Sequence, residues 1–229
     1  MDLGVVTLFP EMFNALTENG ITGRAFQKNL ARLHIWNPRD FTTDIHRTVD
    51  DRPYGGGPGM VLKPEPISAA LQAARHKLGA QTPIIYLTPQ GKTFNQNTVN
   101  QWSQVESLIL LCGRYEGIDE RIIHLYVDEE WSIGDYVISG GELAAMVVFD
   151  ALVRTLDGAC GDPESIITES FSNPEGLDWP HFTRPVEFEG LRVPDVLTSG
   201  DHAAIERWRR QQAREKTALK KPEWVPISK

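Results

Sequence analysis

The chemistry open to this chain is most visible in three glycine-bearing stretches. They are DRPYGGGPGM (Asp51 to Met60), LCGRYEGIDER (Leu111 to Arg121) and WSIGDYVISGGELAAM (Trp131 to Met146). Positions without a side chain let a ligand approach the backbone and be read by its N–H and C=O groups. The third stretch says most. It reads as a glycine-lined loop, an apolar strand-like rung at Tyr136, Val137 and Ile138, a Gly140-Gly141 turn, and a helix from Glu142 to Leu156. Ser139 and Glu142 stand at the spacing of a capping box, which would satisfy two otherwise unpaired backbone N–H groups. The helix is apolar on nearly every face and is expected to lie buried against a sheet. A Gly-Gly pair before a helix can equally be a plain tight turn. Three glycine loops in one chain point instead to a small-molecule pocket built from main chain.

Two familiar nucleotide signatures are absent. PQGKT (Pro89 to Thr93) echoes a phosphate loop, but that pattern needs glycine five positions before Gly91, where Tyr86 stands. No G-x-G-x-x-G follows a strand, so the dinucleotide fingerprint is missing. The glycine loops follow different strands, so their ligand is expected at strand C-terminal ends, as in open α/β sheets. The two cysteines, Cys112 and Cys160, form neither a disulfide framework nor a metal-ligand spacing. Cys112 closes the apolar run from Leu108 and reads as a core thiol, not a nucleophile.

The elements that must position these loops alternate. Strand-length apolar runs occur at Leu3 to Phe9, Leu33 to Trp36, Ile84 to Thr88, Leu108 to Cys112, Leu125 to Val127 and Tyr136 to Ile138. Helical patterns lie between them at Pro10 to Glu18, Pro66 to Lys77, Asn95 to Trp102, Ile118 to Ile123 and in the Glu142 helix. Continuous apolar strands predict a parallel sheet covered on both faces, and the alternation predicts an α/β class. From Asp157 the chain turns irregular, with Gly158, Gly161, Pro163, Asn173, Pro174, Gly176 and Pro180. This predicts a first domain over 1–160, a linker over 161–175 and a small, mainly helical domain over 176–229. In the last, Asp201 would cap a helix running to about Glu215.

At 229 residues, 41% hydrophobic and 24% charged, the composition is that of a soluble globular protein with a substantial core. No apolar run has the length of a membrane span, and MDLGVVTLFP lacks the basic region of a signal peptide, so a cytoplasmic location is expected. The net charge of −8 is unevenly spread: residues 202–229 carry eight Lys or Arg against three Glu, giving +5 there and −13 for residues 1–201. A basic tail on an acidic body fits a patch meeting a polyanion, although a solvated helix face has the same composition. Further basic residues near the N-terminus are Arg24, Lys28, Arg32, Arg39, Arg47 and Arg52.

DRPYGGGPGM, TPQG, GRYEGIDER, SIGDYVISGGEL and PHFTRP occur in this order over essentially the full chain. Together they closely resemble the bacterial tRNA (guanine-37-N1)-methyltransferases of the SPOUT class. The resemblance implies a deep trefoil knot in the α/β domain, S-adenosylmethionine as cofactor, a homodimer, and the anticodon loop of tRNA as substrate. It assigns the cofactor to the loops carrying Tyr86, Leu87, Thr88, Pro89 and Gly91; Gly113, Tyr115, Glu116 and Gly117; and Ile133, Gly134, Asp135, Tyr136, Val137, Ile138, Gly140 and Gly141. Backbone groups around Ile133 to Ile138 would read the adenine edge. Glu116 would sit near the sulfonium or its amino acid portion, or alternatively pair with Arg114 or Arg121. No metal ligands are assigned, and a magnesium ion stands as a possible addition that the sequence does not show.

Guanine N1 bears a proton, so its methylation needs a base, and a cation to steady charge on O6. In the family these are an aspartate at the start of the linker loop and an arginine in the buried helix. The matching positions here are Glu169 and Arg154. Glu169, in TESF where DSF is usual, is the main departure: a carboxylate one methylene longer must be placed differently, which matters for rate. Smaller departures are Ile138 for a usual leucine, Ala144 for a usual proline, and one extra residue between Phe171 and Pro180. Unpaired anticodon-loop bases are what proteins read in RNA, and the target must turn out into the pocket. Asp50 and His46, beside Gly55, Gly56 and Gly57, are candidates for contacting the target or a neighbouring guanine. Phosphate contacts would come from the basic tail and the N-terminal arginines. Two rivals remain at this stage. One is an RNA-binding relative with weak or lost methyltransferase activity, Glu169 being the lesion. The other is an α/β enzyme using a nucleotide cofactor on a small metabolite, which the basic tail and missing phosphate loop disfavour.

Overall fold

The structure, a computed structural model, describes residues 1–162, 166–172 and 176–224. The expected linker over 161–175 therefore falls partly outside the described residues. Two compact units are present, Met1–Gly161 and Asp162–Lys229.

The first unit is built on a five-stranded parallel sheet. Its strands are β1 (Asp2–Val6), β2 (Arg32–Trp36), β5 (Ile84–Thr93), β6 (Ser107–Cys112) and β7 (Glu129–Ser132), in the spatial order β2-β1-β6-β5-β7. A small antiparallel pair, β3 (Asp50–Asp51) and β4 (Val61–Leu62), stands apart from it. The helices are α1 (Asn14–Glu18), α2 (Gly20–Gln27), α3 (Pro64–Leu78), α4 (Gln96–Trp102), α5 (Glu120–Tyr126) and α6 (Gly141–Val153).

Successive strand side chains point to opposite faces, and both faces of this sheet are covered. On β6, Leu108, Leu110 and Cys112 enter one core layer with Leu3, Val5, Phe13, Val148, Phe149 and Leu152. Ile109 and Leu111 enter the other, with Val6, Ile67, Leu71, Ile84 and Ile122. This is why the central strands are apolar without alternation. Helix α6 closes the first layer and α3 the second. Among the described residues, no helix is long and apolar enough to cross a membrane.

Two expected strands are not strands. Leu125 and Tyr126 end helix α5, with Leu125 73% exposed, so the run Leu125 to Val127 is a helix terminus. Tyr136 to Ile138 forms an irregular turn with no sheet partner, and Val137 is 85% exposed. The fifth strand is instead Glu129–Ser132, whose Glu-Glu-Trp-Ser sequence suits a sheet edge and lacks the apolar signature of a buried strand.

In the second unit are the pair β8 (Glu187–Phe188) and β9 (Leu191–Arg192) and the helices α7 (Asp195–Thr198) and α8 (His202–Lys220). Asp201 caps α8, its Oδ1 accepting from the Ala204 N–H at 2.9 Å. The helix runs five residues past the expected end at Glu215.

Candidate functional site

Within the parallel sheet, the irregular middle of β5 and the loops after β6 and β7 enclose a cavity of about 370 Å³. Tyr86, Leu87, Thr88 and Pro89 line it from β5, and Gly113, Tyr115, Glu116 and Gly117 from the loop after β6. Ile133, Gly134, Tyr136, Val137, Ile138, Gly140 and Gly141 close it from the third side. Of the residues expected at a cofactor site, Gly91 and Asp135 do not line the cavity. Gly91 has a different reason to be glycine: an added Cβ would lie 2.3 Å from the Trp131 backbone nitrogen. Here β5 irregularly re-pairs with β7, between Leu87 and Lys92.

Gly141 likewise answers to protein backbone. A Cβ there would stand 2.7 Å from the Cys112 Cα, while the Gly141 N–H donates to the Gly113 carbonyl at 2.9 Å. Its missing side chain lets the start of α6 sit directly on the end of β6. The cavity wall depends on that approach.

The capping box is not formed. Gly140 is the N-cap of α6 without a side-chain cap, and Glu142 is fully buried. Its carboxylate turns inward, taking Arg114 Nε at 2.9 Å and the Thr7 hydroxyl at 2.8 Å. Arg114 also donates from Nη1 to the Ser139 carbonyl at 3.1 Å, and its guanidinium lies 4.3 Å over the Phe9 ring. Arg114 and Glu142 thus tie the loop after β6 to the turn before α6. A buried charge is tolerated only when paired and hydrogen-bonded, and this one is both. The sequence hides this pair, since a local spacing signal competes with a partner 28 positions away.

Glu116 pairs with neither arginine considered for it, since Arg114 holds Glu142 and Arg121 holds Asp119 at 2.7 Å. It stays exposed at the cavity, packed against Gly59, and its N–H donates to the Met60 carbonyl at 2.9 Å. The first glycine loop is therefore anchored to the second at its far end. Gly55, Gly56 and Gly57 have left-handed backbone with open space around them, and they do not line the cavity. Neither do exposed His46 and half-buried Asp50.

Cys112 is buried, and burial, with the nearby Glu142 carboxylate adding to it, pushes its thiol well above the ordinary range. It stays a neutral core thiol. Burial, reinforced by the Glu130 charge, also raises the Tyr86 phenol, which therefore faces the cavity uncharged. Among the described residues, no group of three or more His, Cys, Asp or Glu is placed to hold a metal ion. Arg154 stands at the C-cap of α6 in the first unit, and half-buried Glu169 lies in the second.

A family model described as tRNA (Guanine-1)-methyltransferase TrmD matches residues 1–226. The chain belongs to this family. Relatives named tRNA (guanine-N(1)-)-methyltransferase extend the match. The one from Shewanella amazonensis is 56% identical over 224 residues, covering 97% of this chain and 89% of its own. That from Nitrosospira multiformis is 55% identical over 231 residues, covering 99% and 90%. That from Pasteurella multocida is 54% identical, covering 97% and 91%. Membership of the tRNA (guanine-1)-methyltransferase family makes the glycine-loop cavity the candidate cofactor site.

Proposed function

We propose that this chain transfers the methyl group of S-adenosylmethionine to N1 of guanine 37 in a tRNA anticodon loop, working as a homodimer. The observation that carries the reading is the cavity itself, formed by the irregular middle of β5 and the loops after the neighbouring β6 and β7, in a chain the family model covers almost completely. Its volume of about 370 Å³ is in the range of small-molecule sites. Main chain and apolar side chains (Leu87, Ile133, Ile138) suit an adenosine moiety, and the charged residues of the lining are Arg114, Glu116, Glu120 and Glu130. When bound, the cofactor supplies an electrophilic methyl group at its sulfonium. Glu116 would face its amino acid portion, and Tyr115, Tyr136 and Val137 would cover it.

The residues of the chain do the rest. Glu169 removes the N1 proton, and Arg154 donates to O6 as charge develops there. His46, Asp50 and the Gly55–Gly57 segment contact the target or a neighbouring guanine. The C-terminal domain, 176–229, binds tRNA phosphates through its net charge of +5 over residues 202–229, with 161–175 as linker. The tight backbone approaches at Gly91 and Gly141 support the reading of this region as the trefoil knot of the SPOUT class. Leu143 and Val147, four apart on α6 and 49% and 50% exposed, support a second copy covering that face.

The test is transfer of labelled methyl from S-adenosylmethionine to a tRNA with guanine at position 37, beside calorimetric titration of the cofactor. The expected result is saturable cofactor binding and label on guanine N1, lost when position 37 is changed. Cofactor binding without any label on tRNA would overturn the assignment. Light scattering is expected to give a dimer; a fully active monomer would contradict the assembly.

A further inference from the structure

We infer that helix α8 is the scaffold that positions Glu169, holding its turn through Asp178 and Lys216. This rests on the reading of Glu169 as the base.

Glu169 sits in a short turn in which its carbonyl accepts from the Ser172 N–H at 3.2 Å. The next residue makes a reciprocal pair with Asp178. Ser170 Oγ donates to Asp178 Oδ1 at 2.8 Å and accepts from the Asp178 N–H at 3.1 Å. Asp178 is in turn fixed to α8: Lys216 Nζ donates both to its Oδ1 at 2.9 Å and to its carbonyl at 3.0 Å. His181 Nε2 lies 3.1 Å from the remaining carboxylate oxygen.

Two further attachments converge on the same residues. The Leu177 N–H donates to the hydroxyl of Thr217, which is 1% exposed and itself donates to the Ala213 carbonyl at 2.7 Å. Phe171 has left-handed backbone, φ 68°, with its ring 4.8 Å from that of Trp224 just beyond α8 and its N–H on the Gly176 carbonyl at 2.6 Å. Backbone in that region persists for a non-glycine residue only where its surroundings over-determine it. Asp178 carries its charge at little cost there. Burial opposes ionisation, but hydrogen bonds from Lys216, Ser170 and His181 outweigh it and hold the carboxyl at about 2.

The arrangement separates Lys216 from Arg207 and Lys220 on the same helix. Arg207 and Lys220 are exposed and available to a phosphate, whereas two donor contacts of the Lys216 ammonium are already directed to Asp178. A phosphate ligand sets how tightly RNA binds; a positioning residue sets how fast the bound RNA reacts. Lys216 and Asp178 are positioning residues. Misplacing a catalytic group by about an ångström costs up to about 100-fold in rate.

The test uses the full-length chain, with kcat and the KM for tRNA measured separately at saturating cofactor. Lys216→Met and Asp178→Asn are each expected to lower kcat by roughly ten- to a hundred-fold, with the KM for tRNA and the cofactor affinity unchanged. Lys216→Arg should restore most of the rate, and the double variant should lose little more than either single one. Ser170→Ala, a milder cut in the same chain of contacts, should lower kcat alone if either variant proves unstable. A raised KM with wild-type kcat for Lys216→Met would make Lys216 a phosphate ligand and overturn the inference. So would wild-type kcat in Asp178→Asn and Ser170→Ala. Glu169→Gln separates the two readings. If it is inactive while the scaffold variants keep wild-type kcat, only the scaffold fails; if it keeps the wild-type rate, both readings fall.

Discussion

At the glycine-loop cavity, position is set by main chain. Parallel strands lie side by side, Gly141 rests on the Cys112 Cα, and one buried ion pair joins two loops. At the Glu169 turn the same task falls to side chains: a serine, an aspartate and a lysine, beside a helix with only Ala213 and Thr217 buried. A wall of backbone keeps its shape through most single substitutions and fails where backbones touch. A turn held by side chains is adjustable one residue at a time. The difference matches what the two regions would do, since a cofactor of fixed shape is met again at every turnover, whereas the base must find a guanine delivered by a large, mobile substrate.

The sharpest way to break the first half of the comparison is Gly141→Val. The added branch meets the Cys112 and Gly113 backbone before it reaches ligand space, so cofactor binding should be lost together with thermal stability of the first unit. Overpacking of this kind costs about 1–3 kcal/mol or more. Calorimetric titration beside a melting curve checks it; full cofactor affinity in a stable variant would remove Gly141 from the wall. Arg114→Ala comes next. It leaves the fully buried Glu142 carboxylate with the Thr7 hydroxyl but without its cation, a loss of about 3–5 kcal/mol. Chemical denaturation should show it, and Glu142→Gln should cost less.

Two smaller effects sharpen the other half. Arg154→Ala should keep cofactor affinity and lower single-turnover methylation by roughly 100-fold, the usual cost of removing a donor to developing charge. Strong acid should loosen the Glu169 turn. The Asp178 carboxyl is depressed to about 2 in the folded chain, so its contribution is complete above the unfolded value of about 3.9 and fades as pH falls through about 2. The contribution is about 2 kcal/mol, by the size of that depression. Fluorescence of Trp179, next to Asp178, followed against pH in wild type and Asp178→Asn checks the sign. The wild type should hold its signal at neutral pH and converge on the variant in strong acid.

Much of this architecture was legible in the sequence for identifiable reasons. Leu108 to Cys112 reads as a doubly covered strand because both of its faces are buried, and Asp201 reads as a cap because capping is local. Strand β7 was hidden because an edge strand needs no apolar run, and Tyr136 to Ile138 looked like a strand because its apolar residues flank a cavity instead of a core. The Ser139–Glu142 spacing misled for a related reason: a capping box and a buried ion pair use the same glutamate, and only Arg114, brought in by the sheet, decides between them. Around the cavity, the expected residues gather except Gly91 and Asp135. The resemblance places Gly91 in a cofactor loop, whereas the structure shows a constraint of its own, the Trp131 backbone, a contact between chain segments that no local pattern encodes. The Asp178–Lys216 contact, 38 positions apart, was invisible on the same ground.

The central claim is that this chain is a guanine N1-methyltransferase whose base is Glu169. Single-turnover transfer of labelled methyl to tRNA, compared across pH for wild type, Glu169→Gln and Glu169→Asp, tests it most directly. Gln keeps the size and polarity of Glu169 but cannot accept a proton, so the account predicts intact cofactor binding and turnover reduced by roughly 100-fold or more. It further predicts that Asp is slower than Glu here, because the shorter side chain withdraws the carboxylate by about an ångström. A Glu169→Gln enzyme methylating tRNA at the wild-type rate would contradict the account.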